Sequence, residues 1–303
     1  MELRRRLLWL AAVPLVALAA CGGDGEAAGA TAGACPGDAV VVVVSVSQWG
    51  EIVEELGGDC AEVTTIVSGS SVDPHEFEPS PADLAAFDDA QLVVVNGLDY
   101  DPWASDAVDA VASSLPTIDA GEIAGRAEGD NPHLWYDPSA VRAVADAVTR
   151  ELSALAPQLR VHFDARHAAW TASMTPYLDE VSRLAGEIDG HVTYAATEPV
   201  FEYMADALTL VDRTPAGYAQ AAATETDPAP GDINALVDVL EDGADLLIVN
   251  PQTEGAITAQ IREAGERAGV PIVDITESPP DSSSFVSWQL DQLAAIAAVV
   301  EAS

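Results

Sequence analysis

Eight short runs of apolar, often β-branched residues mark the chain, at 39–45, 61–67, 91–95 and 116–119 in the first half and at 191–196, 208–212, 245–250 and 271–275 in the second. Runs of this length read as strands buried on both faces. Between them, apolar residues recur every three or four positions. Val141, Val144, Val148, Leu152 and Leu155, for example, fall on one face of a helix. Strands alternating with amphipathic helices predict an α/β fold of parallel sheets covered by helices. Right-handed crossovers then place ligand-binding loops at the carboxyl ends of the strands. Residues 158–188 interrupt the alternation: Phe163, His167, Trp170, Met174, Tyr177, Val181, Leu184 and Ile188 form one stripe with no strand pattern. A helix of that length spans roughly 45 Å, too long for a crossover within one small lobe. It predicts a rod joining two α/β lobes, with a kink or local loosening at Pro176.

The first residues lie outside this pattern. Arg4-Arg5-Arg6 precede an apolar stretch at 7–20 that is too short to span a bilayer well. It ends in Leu18-Ala19-Ala20-Cys21, which resembles a bacterial lipobox with Cys21 as the lipidated residue. Residues 22–34 are rich in Gly and Ala and carry no large apolar side chain, so they read as a flexible leash. The expected organisation is a signal peptide at 1–20, a lipidated tether at 21–35, an N-terminal lobe at 36–157, the linking helix at 158–188 and a C-terminal lobe at 189–303. The expected location is the outer side of the cytoplasmic membrane, held by lipid. Cys35 and Cys60 each precede a strand run; if those strands are parallel neighbours, an exported chain can bridge the pair.

Charge narrows the function. The chain carries −38 at pH 7, which argues against nucleic acid and against anionic membrane surfaces as partners. It does not by itself identify a cation binder. All five histidines lie beyond the leash, and two sit in unusual loops, His75 in "SVDPHEFEPSP" and His133 in "EGDNPHLWYDPSAV". Each follows a proline, which stiffens the backbone where a ligand must wait in place. His162, His167 and His191 lack such a setting and read as structural or solvated.

These two loops, together with "ATEPVFEYMADAL", "VDITESPPDSSSFVSWQLDQL" and "SVSQWGEIVEELGGD", resemble the metal-binding lipoproteins of bacterial ABC importers, the zinc/manganese cluster of solute-binding proteins. The resemblance runs over residues 38–300. It implies two α/β lobes joined by a rigid helix, one divalent metal ion captured as cargo between them, and an ABC permease as partner to a monomeric receptor with no enzymatic activity. A metal-dependent hydrolase and a cell-surface adhesin of the same fold are the alternatives.

The family supplies one ligand from each of four segments. The first three map onto His75, His133 and Glu198. The fourth is a carboxylate after the last strand, for which Glu277 ranks first, then Asp281, then Asp274. Asn131 and Asp130 could orient His133, since ligand imidazoles donate their other N–H. Two imidazoles and two carboxylates offer two nitrogens and up to four oxygens. Carboxylate oxygen favours Mn²⁺, but zinc binds most such sites tightly. Glu198 stands where zinc-type members of the family carry histidine, so the resemblance sets Mn²⁺ ahead of Zn²⁺, with Fe²⁺ also compatible.

Overall fold

The computed structural model describes residues 35–69, 77–111, 115–253, 255–280 and 283–302. Each predicted strand run holds a strand. β1 (Val40–Val46), β2 (Ala61–Val67), β3 (Leu92–Val95) and β4 (Thr117–Asp119) form one sheet in the order β2-β1-β3-β4. β5 (Thr193–Ala196), β6 (Val211–Asp212), β7 (Leu246–Val249) and β8 (Ile272–Asp274) form a second in the order β6-β5-β7-β8. Every pairing is parallel, with Val42 opposite both Val63 and Leu92 in the first sheet and Ala195 opposite Leu247 in the second. All-parallel strands are covered on both faces, which is why β3 and β7 are buried at every position. β6 is shorter than its run because Leu208 and Leu210 close the preceding helix turn onto Met204 and Ala205.

The two sheets have the same topology. In each, the chain steps from the first strand to one side and then crosses to the other. The switch points therefore lie between β1 and β3 and between β5 and β7, where open α/β sheets bind ligands.

The rod is two helices, Arg160–Ser173 and Thr175–Ile188. The break falls at Met174, two residues ahead of Pro176, which lacks the N–H for the next helical bond. Met174 N still donates to Trp170 O and Leu178 N to Met174 O, so the turn is loosened without losing its direction. The apolar stripe is buried except at His167, which is half-buried and pairs with Asp146 at 2.7 Å. One core runs from β1 through the stripe to β5 and the final helix, Phe285–Val300. At the other end of the first sheet Cys35 and Cys60 are joined by a disulfide, Cα–Cα 4.9 Å, tying the starts of the paired strands β1 and β2. Among the described residues no helix is long and apolar enough to cross a membrane.

Candidate metal centre

Loops from the carboxyl ends of both sheets meet. From the first half come Gln48, directly after the start of the helix that follows β1, Asn96 and Tyr100 after β3, and the loop carrying His133. From the second half come Glu198 after β5, Asn250 after β7 and Glu277 after β8.

His133 is 4% exposed, at the start of a short 3-10 turn, Leu134–Tyr136. Asn131 accepts from its backbone N–H at 3.0 Å and lies 2.6 Å from Nδ1. Donation from Nδ1–H to Asn131 Oδ1 turns Nε2 forward as the donor atom for an ion. Nε2 lies 3.4 Å from Glu277 Oε1 in the other half of the molecule. Asn131 is itself fixed across the same divide, donating to Pro199 O at 2.8 Å and to Glu202 Oε2 at 2.7 Å, while Tyr203 OH donates to its carbonyl at 2.7 Å.

Glu277 is 3% exposed, and its carboxylate sits among donors. Tyr100 OH donates to Oε1 at 2.7 Å and Asn250 Nδ2 to Oε2 at 3.3 Å. Its backbone is gripped as well: the N–H donates to Gln252 Oε1 at 2.6 Å, and the carbonyl accepts from Gln48 Nε2 at 3.2 Å. Glu198 is half-buried ahead of the turn Pro199–Phe201; its Oε2 accepts from Asn250 Nδ2 at 2.9 Å and from Thr253 Oγ1 at 3.1 Å. It also borders a cleft of about 320 Å³ walled by Phe201, Ala216 and Ala219.

Electrostatics single out the same place. Burial pushes the Glu198 carboxyl above its ordinary range; hydrogen bonds from Asn250 and Thr253 oppose this, while the nearby Glu277 charge adds to it. Burial and then the Glu277 charge push the Tyr100 phenol well up, so it stays a donor. Two carboxylates brought close in a dry site repel, and a dication relieves that cost.

Among the described residues no three His, Cys, Asp or Glu side chains stand close enough to hold an ion alone. The described part of the site is the His133–Glu277 contact with Glu198 linked to Glu277 through Asn250. His75 and Asp281 lie outside the described residues, as does Cys21. Asp274 is exposed on β8 and ion-paired with Arg262, away from this cluster. Asp130 is exposed and accepts from Ala127 N at 2.9 Å, holding its own turn rather than the imidazole.

Sequence reasoning missed Gln48, Tyr100, Asn250 and Thr253. The one available signal was a short echo between the halves: "LVVVN" at 92–96 and "LLIVN" at 246–250 each end in asparagine just past a strand.

Known proteins share this architecture. The ZnuA family profile, described as zinc-uptake complex component A, periplasmic, matches residues 42–299. The manganese-binding lipoprotein MntA of Halalkalibacterium halodurans is 29% identical over 186 residues, 60% of this chain and 58% of that protein. The manganese ABC transporter substrate-binding lipoprotein PsaA of Streptococcus pneumoniae is 22% identical over 67% of this chain and 69% of its own length. The substrate-binding protein FpvC of Pseudomonas aeruginosa, solved with Mn²⁺, superposes with a TM-score of 0.74 at 18% identity, covering 88% of this chain and 99% of that one.

Proposed function

This chain belongs to the ZnuA family of periplasmic zinc-uptake components, and from that premise we propose that it captures a divalent transition-metal ion outside the cell and hands it to a membrane permease. The family consists of solute-binding receptors of ABC importers, and the chain is not an enzyme. The hydrolase and adhesin readings gain nothing from the match. Relatives named as lipoproteins support an extracytoplasmic, lipid-held location, with Cys21 as the lipidated residue.

The observation that carries the reading is the 3.4 Å approach of His133 Nε2 to Glu277 Oε1 across the two halves. An ion entering there would take the imidazole nitrogen from one half and carboxylate oxygens of Glu277 and Glu198 from the other. His75 would complete the set from the loop after β2. The protein's work is positional. Asn131 holds the imidazole tautomer, Tyr100 and Asn250 hold the carboxylates, and the buried walls keep bulk water from competing. Two carboxylates neutralise a dication, which makes its burial cheaper. That donor set supports Mn²⁺ ahead of Zn²⁺ as cargo, with Fe²⁺ compatible.

The test is elemental mass spectrometry on the full chain, stripped and offered equimolar Mn²⁺, Fe²⁺ and Zn²⁺ at limiting total metal. Retained manganese that Glu198→His converts to zinc makes Glu198 the selectivity ligand. Zinc in the wild type, unchanged by Glu198→His, assigns the cargo to zinc. Absence of any bound metal overturns the receptor reading.

A further inference from the structure

Of the three described side chains placed to hold the ion, two are sealed and one is not. His133 is 4% and Glu277 3% exposed, whereas Glu198 is half-buried. The divide between the halves is stitched shut beside them: Asn131 Nδ2 donates to Pro199 O at 2.8 Å, Tyr203 OH to Asn131 O at 2.7 Å and Tyr100 OH to Glu277 Oε1 at 2.7 Å. Glu198 instead borders the cleft of about 320 Å³ in the C-terminal half. Tyr194 and Phe201 line it as buried residues, Glu202 and Asp212 as exposed ones. A further wall is the helix Ala216–Ala223, which turns Ala216, Ala219 and Ala223 toward the space. That helix is fixed by other residues. Tyr218 is 2% exposed and packs with Leu236 and Leu240, and any side chain at Gly217 would run into Asp232. The helix is thus held in place while its row of alanines leaves the gap open, in a molecule whose interior is otherwise close-packed.

Building on the receptor reading above, we propose that this cleft is the passage by which the divalent ion reaches and leaves Glu198 without the two halves separating. Glu198, Glu202 and Asp212 line it, and no Lys, Arg or His does among the described residues, so its field draws cations in. A divalent ion with about six waters needs roughly 180 Å³ at about 30 Å³ per water. The cleft is larger than that and admits the ion still hydrated. Alanine methyls offer no ligand, and weak binding along the way is what lets an ion move on. Glu198 is where the first water can be exchanged: Asn250 and Thr253 donate to its Oε2, and Oε1 takes no hydrogen bond from the described residues. Asn250 Nδ2, within 2.9 Å of Glu198 Oε2 and 3.3 Å of Glu277 Oε2, marks how short the remaining step inward is.

The experiment is stopped flow on the full-length chain in detergent, with Zn²⁺ and Mn²⁺ in separate runs. A fluorescent metal indicator follows uptake, mixing the loaded chain with excess chelator follows release, and equilibrium affinity is titrated separately. Ala219→Leu combined with Ala223→Leu, one helical turn apart, narrows the cleft without touching a ligand. A narrowed passage acts equally on entry and exit, so uptake and release are expected to slow by one common factor, on the order of tenfold, at unchanged affinity. Asp212→Asn keeps an acceptor for Thr214 N and removes one charge from the cleft. It is expected to slow uptake about threefold at low ionic strength, and the difference from wild type should vanish in high salt. Rates equal to wild type in both variants would overturn the proposal and place the route elsewhere. Weakened affinity in the leucine pair at unchanged uptake would overturn it as well, since that marks damage to the site. If the leucine pair does not fold, wild-type uptake by Asp212→Asn at low salt overturns the proposal alone. A wild type that binds neither ion would instead sink the receptor reading, so the two failures are distinguishable.

Discussion

At the residue scale, the side chains that look most like site residues in the sequence are histidines and carboxylates, but the structure gives their neighbours equal weight. His133 stood out as a candidate in the sequence through its stiff Asn-Pro-His loop, and Glu198 through the family resemblance. Asn250 did not, because an asparagine after a strand reads as a turn residue and its partners lie 27 and 52 positions away in the chain. Glu51 is a second case. It sits on the helix Ser47–Gly57 and accepts from the backbone N–H of Phe285, the first residue of the final helix. Burial pushes its carboxyl up to about 7; the Phe285 bond opposes this, and Glu55 and Glu54 add to it. A carboxyl raised in the folded state binds its proton more tightly there than in the unfolded chain. Its stabilising effect is full below the unfolded pKa and is lost as pH climbs through about 7. Glu51→Gln keeps an acceptor for Phe285 without the charge. Thermal melts at pH 5 and pH 8 are expected to show the variant gaining on the wild type at the higher pH. An equal difference at both pH values would contradict this reading of Glu51.

At the element scale, strands and rod were legible for different physical reasons. The inner strands β1, β3 and β7 are buried on both faces and appear as continuous apolar runs needing no alternation, while the edge strand β2 is partly exposed and admits Glu62, Thr64 and Thr65. The rod appears as a stripe because only one side of it faces the core. Boundaries were less legible: β6 shrinks to Val211–Asp212, and the break in the rod falls at Met174, ahead of the proline that causes it. Two local devices carry measurable energy. The disulfide closes a sequence separation of 25 residues, so replacing Cys35 and Cys60 together by Ser should cost about 2–4 kcal/mol by denaturant titration. Asp137 caps the helix Pro138–Leu155, accepting from Ser139 N and Ala140 N. Asp137→Ala should cost about 1 kcal/mol in the same titration, and a change well under half of that would argue that the cap is redundant.

At the scale of the whole molecule, alternation and motif resemblance made two lobes and a rod readable, while the meeting of the loops at the ends of the sheets required the fold itself. The halves are joined by more than the rod. Asn131, Tyr203 and Glu202 bond across the divide, as do Gln48 and Tyr100 to Glu277, and Tyr136 OH donates to Thr276 O at 2.7 Å. With a continuous core behind them, these contacts resist hinge opening. Small-angle scattering should therefore give the same radius of gyration with and without metal; a clear contraction on metal addition would assign capture to domain closure instead.

The central claim, that one divalent ion is taken up between the halves at His133, Glu198 and Glu277 with His75 proposed to complete the set, is tested most directly by anomalous diffraction from crystals grown with Mn²⁺ and measured on the low-energy side of the zinc edge. The account predicts a single strong peak within direct bonding distance of His133 Nε2 and of an oxygen of each carboxylate. A peak elsewhere, or none at that position, would contradict it.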